Sequence, residues 1–503
     1  MTKCIQINAA DNVAVAISDL HSREVIDLNG THFVLKEDIP AGHKFLLKDT
    51  RTGEPIIKYG YPIGRLTGDL QQGQWVNEQN LMTNLGGLLT YEYKPVFSEE
   101  QLRNGDDAQV DYPTEGLPTT FMGFRRRNGE VGIRNEIWVV PTVGCVNGIC
   151  QKLAQEATTD DVRVLAFPHN YGCSQLGEDH EQTRKILRDL VRHPNAGAVL
   201  VVGLGCENNQ PESFRNLLGD YDQERIRFMV TQQIEGDEME VGRTILTELK
   251  RLVAQDVRTE IPLNELRVGL KCGGSDGFSG ITANPLLGLF SDFLVSQGGT
   301  TVLTEVPEMF GAETILMNRC ANRDLFEQTV RLINDFKQYF LAHGEPVGEN
   351  PSPGNKAGGI STLEDKALGC TQKCGKSAVR GVLPYGERLQ ARGLNLLSAP
   401  GNDLVASTAL AASGCHVVLF TTGRGTPFGT FVPTMKIATN SSLAQRKPTW
   451  IDFNAGQLLE GASWQDTFHD FVRKVVAVAN GELTWNERKN YQEIAIFKNG
   501  VTL

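Results

Sequence analysis

The sequence contains no long apolar segment. None of its apolar runs approaches the roughly 18 residues that a membrane-spanning helix needs. The opening residues Met1 to Asn8 also lack the apolar core of a secretion signal. We therefore expect a cytoplasmic protein that has no membrane partner.

Positive charge is also scarce, because 49 lysines and arginines face 60 acidic residues, which gives a net charge of −11. A chain with this charge repels phosphate backbones, so nucleic acid is not expected as a partner. An anionic small substrate would need lysine or arginine side chains placed locally against that field.

Cysteine is sparse, with ten residues in a chain of 503, and no two of them form a C-x-x-C pair. This pattern excludes a disulfide framework and gives no support to a structural zinc site. The thiols are therefore either buried side chains, metal ligands or reactive groups.

Two nucleotide-binding signatures are incomplete. The run Gly203-Leu-Gly205 is followed by Asn208 where the dinucleotide fingerprint needs its third glycine. The run from Gly369 to Ser377 resembles a P-loop but has one residue too many between its glycines. Neither segment is expected to bind a nucleotide.

The pattern of apolar runs predicts an α/β protein that begins with a small all-β domain. Short β-like runs separated by turn signals occupy residues 1–85. Residues 86–120 are polar, acidic and rich in proline and glycine, which is typical of a linker. Strands then alternate with helices, which indicates parallel sheets in a middle domain, 121–262, and a C-terminal domain, 263–503.

Three strand-like runs of the middle domain are each followed by a Gly-Cys pair, which places Cys145, Cys173 and Cys206 near the carboxyl ends of strands. His169 precedes Cys173, and Glu207 follows Cys206. Imidazole, thiolate and carboxylate together suit iron, manganese or zinc. The alternative is that each cysteine is a buried thiol that acts as a small apolar residue.

The C-terminal domain opens with a strand that runs into a glycine-rich turn, Lys271 to Ala283. This turn contains Cys272, Ser275 and Asp276. Ligands of open α/β sheets bind at the carboxyl ends of strands, so the turn is either a ligand site or only a tight connection.

Glu305 ends the next predicted strand, and two later loops supply polar groups. Asn355 and Lys356 lie in a glycine-rich loop, 350–359, whereas Thr422, Arg424 and Thr426 lie in a second loop, 421–429. Arginine, threonine and amides beside glycines favour anion binding.

His43 and Lys44 lie next to a glycine in the N-terminal domain. They either meet an anionic substrate or form the solvated rim of a hairpin.

Several segments resemble sugar-acid dehydratases of the altronate and galactarate type, including their N-terminal SAF, or β-clip, domain. The similar segments are Asp11 to Val15, Gly42 to Lys44, Lys58 to Gly60, Cys206 to Asn209, Gly273 to Gly277, Thr304 to Phe310, Pro351 to Lys356 and Thr422 to Pro427. The altronate members have a histidine where this chain has Asn8, and this departure leaves Asn8 without an assigned role.

This resemblance implies loss of water from D-altronate to give 2-dehydro-3-deoxy-D-gluconate, with ferrous iron or manganese as the cofactor. It also implies a middle domain that forms a homodimer and a Rossmann-like C-terminal domain that binds the metal. A mononuclear metal is expected rather than an iron–sulfur cluster.

Residue type and loop position give the individual roles. Asp276 and Glu305, with Cys272, are the predicted metal ligands. The predicted catalytic residues are His169, Lys356 and Cys173, with His169 or Lys356 as the base. The predicted substrate-binding residues are His43, Lys44, Ser275, Asn355, Thr422, Arg424 and Thr426.

Three alternatives stay open at this point. Galactarate or a sulfolactate-type compound is an alternative substrate, because these acids share the reacting carbons. An NAD-dependent sugar-acid oxidoreductase and a carbohydrate-binding protein are the alternatives from other classes.

Overall fold

The computed structural model describes residues 3–503, and it begins with a small all-β domain. Three sheets form this domain, with strand orders β1-β2-β5-β8, β3-β4 and β6-β7-β9. The strands are β1 (Cys4–Ile5), β2 (Val13–Ala16), β3 (Val25–Leu28), β4 (Thr31–Val34), β5 (Lys44–Leu46), β6 (Pro55–Lys58), β7 (Tyr61–Leu66), β8 (Trp75–Val76) and β9 (Leu81–Met82). The predicted all-β start of the chain is confirmed.

The segment 86–120, predicted as a linker, is held against the C-terminal domain. It contains the short helix α1 (Glu99–Asn104), which Ser98 caps. The hydroxyl of Tyr91 donates to Glu313 at 2.7 Å, and Asp107 pairs with Arg380 at 2.6 Å. The aromatic side chains of segment 86–120 explain this packing, because their burial removes apolar surface from water.

The middle domain is built on a parallel sheet with the order β13-β12-β14-β15. A second, antiparallel sheet has the order β11-β10-β16. The elements are β10 (Thr120–Arg125), β11 (Val131–Gly132), β12 (Glu136–Pro141), α2 (Asn147–Ala157), β13 (Val164–Ala166), α3 (Gly177–Val191), β14 (Ala196–Gly203), α4 (Pro211–Leu218), β15 (Ile226–Val230), α5 (Glu238–Val253) and β16 (Thr259–Pro262). Strand β14 is buried along its whole length, as expected for a central parallel strand.

Seven parallel strands form the C-terminal sheet, in the order β19-β20-β18-β17-β21-β22-β23. The elements are β17 (Arg267–Cys272), α6 (Ala283–Ser296), β18 (Thr300–Leu303), α7 (Glu313–Asn318), α8 (Arg323–Ala342), α9 (Pro353–Ala357), α10 (Leu363–Thr371), β19 (Val379–Leu383), β20 (Gly393–Leu397), α11 (Asp403–Ala412), β21 (Val417–Thr422), β22 (Thr434–Ala438), α12 (Ser441–Arg446), β23 (Phe453–Asn454), α13 (Trp464–Ala479) and α14 (Trp485–Arg488). The predicted parallel α/β architecture is therefore confirmed.

The strand order reverses at β17. The chain passes from β17 to β18 on one side, whereas β21 lies on the other side and leads outward to β22. A crevice opens where neighbouring connections leave in opposite directions, and ligands bind there in open α/β sheets. The loops after β17 and β21 lie at this point.

Two local predictions differ from the structure. The predicted glycine-rich loop 350–359 contains helix α9, because Ser352 caps it through Asn355. The segment that resembles a P-loop begins inside helix α10. No helix within residues 3–503 is long and apolar enough to cross a membrane.

Candidate active site

Strand β17 ends at Cys272, which lines a cleft of about 580 Å³ at the reversal of the sheet. This volume is typical of pockets that hold small molecules. The cleft is lined by Cys272, Gly273, Gly274, Glu308, Glu349, Asn350, Pro351, Ser352, Pro353, Asn355, Lys356, Lys366, Gly401 and Asp403. Three predicted site residues, Cys272, Asn355 and Lys356, are thus brought together.

A buried ion-pair network supports the floor of this cleft. The ammonium of Lys271 contacts Glu305 and lies 2.8 Å from Asp403, and Lys373 lies 2.7 Å from the other oxygen of Glu305. Burial opposes ionisation of Glu305, but the two ammoniums outweigh it and lower the pKa of this carboxyl. Glu305 also accepts the amide of Cys272 at 3.1 Å, so the network fixes the start of the glycine-rich turn.

The thiol of Cys272 is acidic. The neighbouring Cys370 and the charge of Lys373 lower the pKa of Cys272 to about 6, although burial opposes this shift. The thiol of Cys370 itself donates to Glu308 at 3.2 Å. The sulfur of Cys272 also lies 2.7 Å from the hydroxyl oxygen of Ser275. The lowered pKa favours the thiolate of Cys272, which is the form of a cysteine that acts as a nucleophile or a base.

Lys366 supplies a buried positive charge to the same cleft. Its ammonium lies 2.7 Å from Glu308 and donates to Asn355 Oδ1 at 3.2 Å. Burial lowers the pKa of Lys366, but the charge of Glu308 outweighs burial and raises it overall. The amide of Asn355 donates to the carbonyl of Ser275 at 2.9 Å, which joins helix α9 to the turn after β17.

Lys356 is half-buried at the edge of the cleft. Among residues 3–503 its ammonium forms no ion pair, unlike those of Lys271, Lys366 and Lys373. It is therefore available to an anionic ligand.

Asp276 and Arg424 line a different and larger cavity of about 1240 Å³. Both oxygens of Asp276 accept the hydroxyl of Thr439 at 2.9 Å, and one also accepts Asn440 Nδ2 at 3.0 Å. Burial raises the pKa of the Asp276 carboxyl and outweighs these hydrogen bonds, which lower it. Arg424 is exposed, and its amide donates to Gly274 at 2.9 Å, so its loop rests on the wall of the cleft.

The predicted metal ligands do not fit a divalent ion. The oxygens of Asp276 are engaged by Thr439, Asn440 and Ser279, and those of Glu305 are engaged by lysines. Within residues 3–503 no three His, Cys, Asp or Glu side chains are arranged to hold a metal ion. Iron or manganese binding by Asp276, Glu305 and Cys272 stays a prediction that these contacts do not favour.

Lys44 and His43 connect the N-terminal domain to the C-terminal domain. The buried ammonium of Lys44 lies 2.9 Å from Asp365 and donates to Ser361 at 2.6 Å, while Lys58 lies 2.9 Å from the other oxygen of Asp365. His43 accepts Trp75 Nε1 at 3.2 Å, which leaves Nε2–H to donate to Ala357 O at 3.3 Å. Substrate binding by Lys44 or His43 stays a prediction.

His169 and Cys173 belong to the middle domain and do not line the cleft. Both ring nitrogens of His169 are engaged, one with Pro141 O at 2.9 Å and the other with the amide of Tyr171 at 3.1 Å. Burial lowers the pKa of His169 to about 4. These contacts give His169 a role in holding its loop, and catalysis by His169 or Cys173 stays a prediction.

Other predicted residues shape turns. The hydroxyls of Thr422 and Thr426 accept the amides of Gly425 at 2.9 Å and Phe428 at 3.3 Å. Asn8 is exposed, and its side chain accepts the amide of Ala10 at 2.9 Å. Substrate contacts by the two threonines stay predictions.

Sequence reasoning missed four charged residues of the site: Glu308, Lys366, Lys373 and Asp403. One signal was present, since Lys366 and Cys370 are four residues apart in helix α10, and Lys373 follows three residues later in the turn after this helix. Asp403 follows Asn402, which is the N-cap of helix α11. Acidic residues are common in the first turn of a helix, so Asp403 did not indicate a functional site.

Family profiles match almost the whole chain. The profile "Altronate/galactarate dehydratase SAF domain" matches residues 2–84. "D-galactarate dehydratase/Altronate hydrolase, second domain" matches residues 123–255, and "D-galactarate/Altronate dehydratase, C-terminal" matches residues 263–502.

Characterised relatives agree with these profiles. The chain is 54% identical to an altronate dehydratase of Bacillus subtilis, with 100% of both chains covered. It is also 54% identical to an altronate dehydratase of Escherichia coli, with 99% of both chains covered. A galactarate dehydratase (L-threo-forming) of Escherichia coli is 34% identical over 91% of this chain and 88% of its own length. The resemblance predicted from the motifs is confirmed, and the chain belongs to the D-galactarate/altronate dehydratase family.

Proposed function

We propose that this protein is a hydro-lyase that converts D-altronate to 2-dehydro-3-deoxy-D-gluconate and water. The proposal rests on one observation, which is that Cys272, Lys356 and Lys366 line the same cleft of about 580 Å³. It is supported by 54% identity to two altronate dehydratases, against 34% to a galactarate dehydratase. The missing dinucleotide fingerprint disfavours an NAD-dependent oxidoreductase.

The reaction begins with removal of the proton from C2, next to the substrate carboxylate. We assign this step to the thiolate of Cys272, because a base with a pKa near the working pH is effective in proton transfer. Ser275, at 2.7 Å from the sulfur, fixes the position of the base. Substrate fills the cleft and excludes water from the thiolate.

Loss of this proton builds a second negative charge on the carboxylate. The ammoniums of Lys366 and Lys356, which line the cleft, stabilise the resulting enediolate. The buried network of Lys271, Lys373 and Glu305 keeps the turn rigid, so these charges need little reorganisation.

The C3 hydroxyl then departs as water after accepting a proton, for which Lys356 is the donor in this scheme. The enol that remains gives its hydroxyl proton to the neutral amine of Lys356 and takes a proton at C3 from the thiol of Cys272, which gives the 2-keto product and restores both groups. No step is assigned to a metal, and a requirement for Fe²⁺ or Mn²⁺ stays a prediction. We also propose a cytoplasmic homodimer that associates through its middle domain.

A panel of acids tests the substrate. Purified protein is incubated without air with D-altronate, galactarate or (2R)-sulfolactate, and formation of 2-keto acid and of sulfite is measured. We expect 2-keto acid mainly from D-altronate. Turnover of galactarate alone, release of sulfite, or reduction of NAD would contradict the proposal.

Lys356→Met should lower kcat/KM for D-altronate by about ten- to a hundredfold, because a charge-assisted hydrogen bond contributes about 1.5–3 kcal/mol. Lys356→Arg keeps the charge and should retain more activity. The control is Lys376→Met, which removes an exposed lysine that pairs with Asp111 outside the cleft. Unchanged kinetics in Lys356→Met would exclude this lysine from the reaction.

Arg424→Lys should leave kcat/KM for D-altronate near the wild-type value, because Arg424 is exposed and lines the larger cavity rather than the cleft at Cys272. Steady-state kinetics with D-altronate give the ratio directly. A loss of about tenfold or more would show instead that the guanidinium makes a two-pronged contact with the substrate carboxylate, which lysine cannot replace.

A further inference from the structure

Three cysteines are exposed at one edge of the middle-domain sheet. Cys145, Cys173 and Cys206 are exposed, whereas the other seven cysteines are buried. Free cysteine is among the most frequently buried residue types, so three exposed thiols that follow three neighbouring strands need an explanation. They follow the neighbouring strands β12, β13 and β14, whose carboxyl ends lie at the same edge.

The loops that bear these thiols are bonded to one another. The amide of Gly144 donates to Tyr171 O at 2.9 Å, and the amide of Asn209 donates to Gly172 O at 2.9 Å. The amide of Ser174 donates to the side chain of Asn208 at 2.8 Å. The residues next to the three thiols therefore form one continuous surface, which we call the thiol edge.

Buried polar side chains fix the thiol edge from below. Glu207 accepts the hydroxyl of Thr142 at 2.7 Å and the amides of Leu204 and Gly205 at 3.1 and 2.6 Å. His169 holds the end of β12 through Pro141 O at 2.9 Å. Glu207 and His169 are used for support, whereas among residues 3–503 the thiols of Cys206 and Cys173 accept only long contacts, from Gln232 at 3.5 Å and Ser174 at 4.0 Å.

One buried donor at the thiol edge has no partner among the described residues. Gln175 is only 3% exposed, and its Nε2 makes no hydrogen bond, although its Oε1 accepts the amide of Gly172 at 3.3 Å. A buried unpaired donor costs about 1–3 kcal/mol. A bound group that carries sulfur or oxygen acceptors would give this amide a partner.

The arrangement favours an iron–sulfur cluster over the other ligands of thiolates. A disulfide would use two of the three thiols and leave one over. A single ion is disfavoured because, within residues 3–503, no three donor side chains are close enough to hold one. The thiolates that bind an iron–sulfur cluster lie farther apart than the ligands of a single ion, because iron and sulfide ions lie between them. Cysteine is also the usual ligand of such clusters.

We propose that Cys145, Cys173 and Cys206 hold a [4Fe–4S] cluster in which one iron has no ligand from the protein. This site is separate from the cleft at Cys272, and the proposal does not depend on the proposed function. It differs from the mononuclear metal expected from the resemblance, whose predicted carboxylate ligands do not converge.

Loading with a preformed cluster is a balanced ligand exchange. Three protein thiols replace three small-molecule thiolates on three irons, and each protein thiol gives its proton to the thiolate that leaves. The oxidation states of iron and sulfide do not change, so no oxidant or reductant is consumed.

The test incubates the purified full chain, without air, with a synthetic [4Fe–4S] cluster that carries small thiol ligands. After gel filtration, iron, acid-labile sulfide and visible absorbance are measured. We expect about four irons and four sulfides per chain and a broad band near about 400 nm. Cys145→Ser, Cys173→Ser and Cys206→Ser should each lose most of this iron and sulfide.

Cys150→Ala is the matched control, because Cys150 is a buried cysteine of the same domain, and this variant should load like the wild type. Circular dichroism checks that the serine variants are folded. A wild-type chain that retains no sulfide, or three serine variants that all load fully, would overturn the proposal. Cluster content is measured without an activity assay, so failure of the cluster proposal can be distinguished from failure of the proposed function.

Discussion

Cys272→Ser should lower kcat/KM for D-altronate by about 10²- to 10⁴-fold, which is the usual contribution of a positioned acid or base. Serine has nearly the shape of cysteine but does not ionise near neutral pH, so the fold and the contact with Ser275 should survive. Steady-state kinetics and the exchange of the C2 proton with solvent both report this loss.

Cys320→Ala is the control for Cys272→Ser, since Cys320 is a buried thiol of the same domain that does not line the cleft. It should keep its activity. Retention of more than a tenth of the wild-type kcat/KM by Cys272→Ser would exclude the thiolate as the base.

The same assignment predicts a pH profile. Because the pKa of Cys272 is lowered to about 6, the thiolate is present above this pH and is lost as pH falls through it. The kcat/KM should therefore decline on the acid side near pH 6. Cys370→Ala removes the neighbouring thiol that contributes most to the lowered pKa of Cys272, so the acid limb of this variant should move to higher pH.

Asp365→Asn should destabilise the protein by about 3–5 kcal/mol, because it leaves two buried ammoniums without a counter-charge. Asp365 lies 2.9 Å from both Lys44 and Lys58, and all three side chains are 1% exposed. Since both lysines belong to the N-terminal domain, this domain should detach first. Thermal unfolding and proteolysis within residues 86–120 measure the two effects.

The matched control is Asp111→Asn, which breaks an exposed pair with Lys376 and should cost less than about 1 kcal/mol. A triple change of Lys44, Lys58 and Asp365 to Met, Met and Leu should recover stability, since it buries no unpaired charge. A wild-type melting temperature in Asp365→Asn would show that this network does not join the domains.

The architecture was predictable because it depends on local patterns. The β-like runs at residues 13–17 and 44–47 match β2 and β5 to within a residue, and the Gly-Cys pairs indicated the ends of β12, β13 and β14. The N-cap of α9 was missed, since Ser352 lies between two prolines and the segment is rich in glycine. A capping box depends on two side chains that bond each other, which composition alone does not reveal.

The site was only partly predictable because its charges are paired across the chain. Asp276 and Glu305 follow neighbouring strands, yet hydroxyls engage the first and lysines engage the second. Lys44 looked like a surface cation beside a glycine, but it meets Asp365 more than 300 residues later. Such long-range pairs are set by domain packing, and no spacing in the sequence encodes them.

D-altronate is expected to react in the cleft at Cys272. A crystal structure of Cys272→Ser with D-altronate tests this location, because the variant should bind the substrate without consuming it. We expect the substrate to lie in the cleft, with C2 next to residue 272 and its carboxylate near Lys356 and Lys366. Substrate found beside Asp276 in the larger cavity, or at the thiol edge, would contradict it.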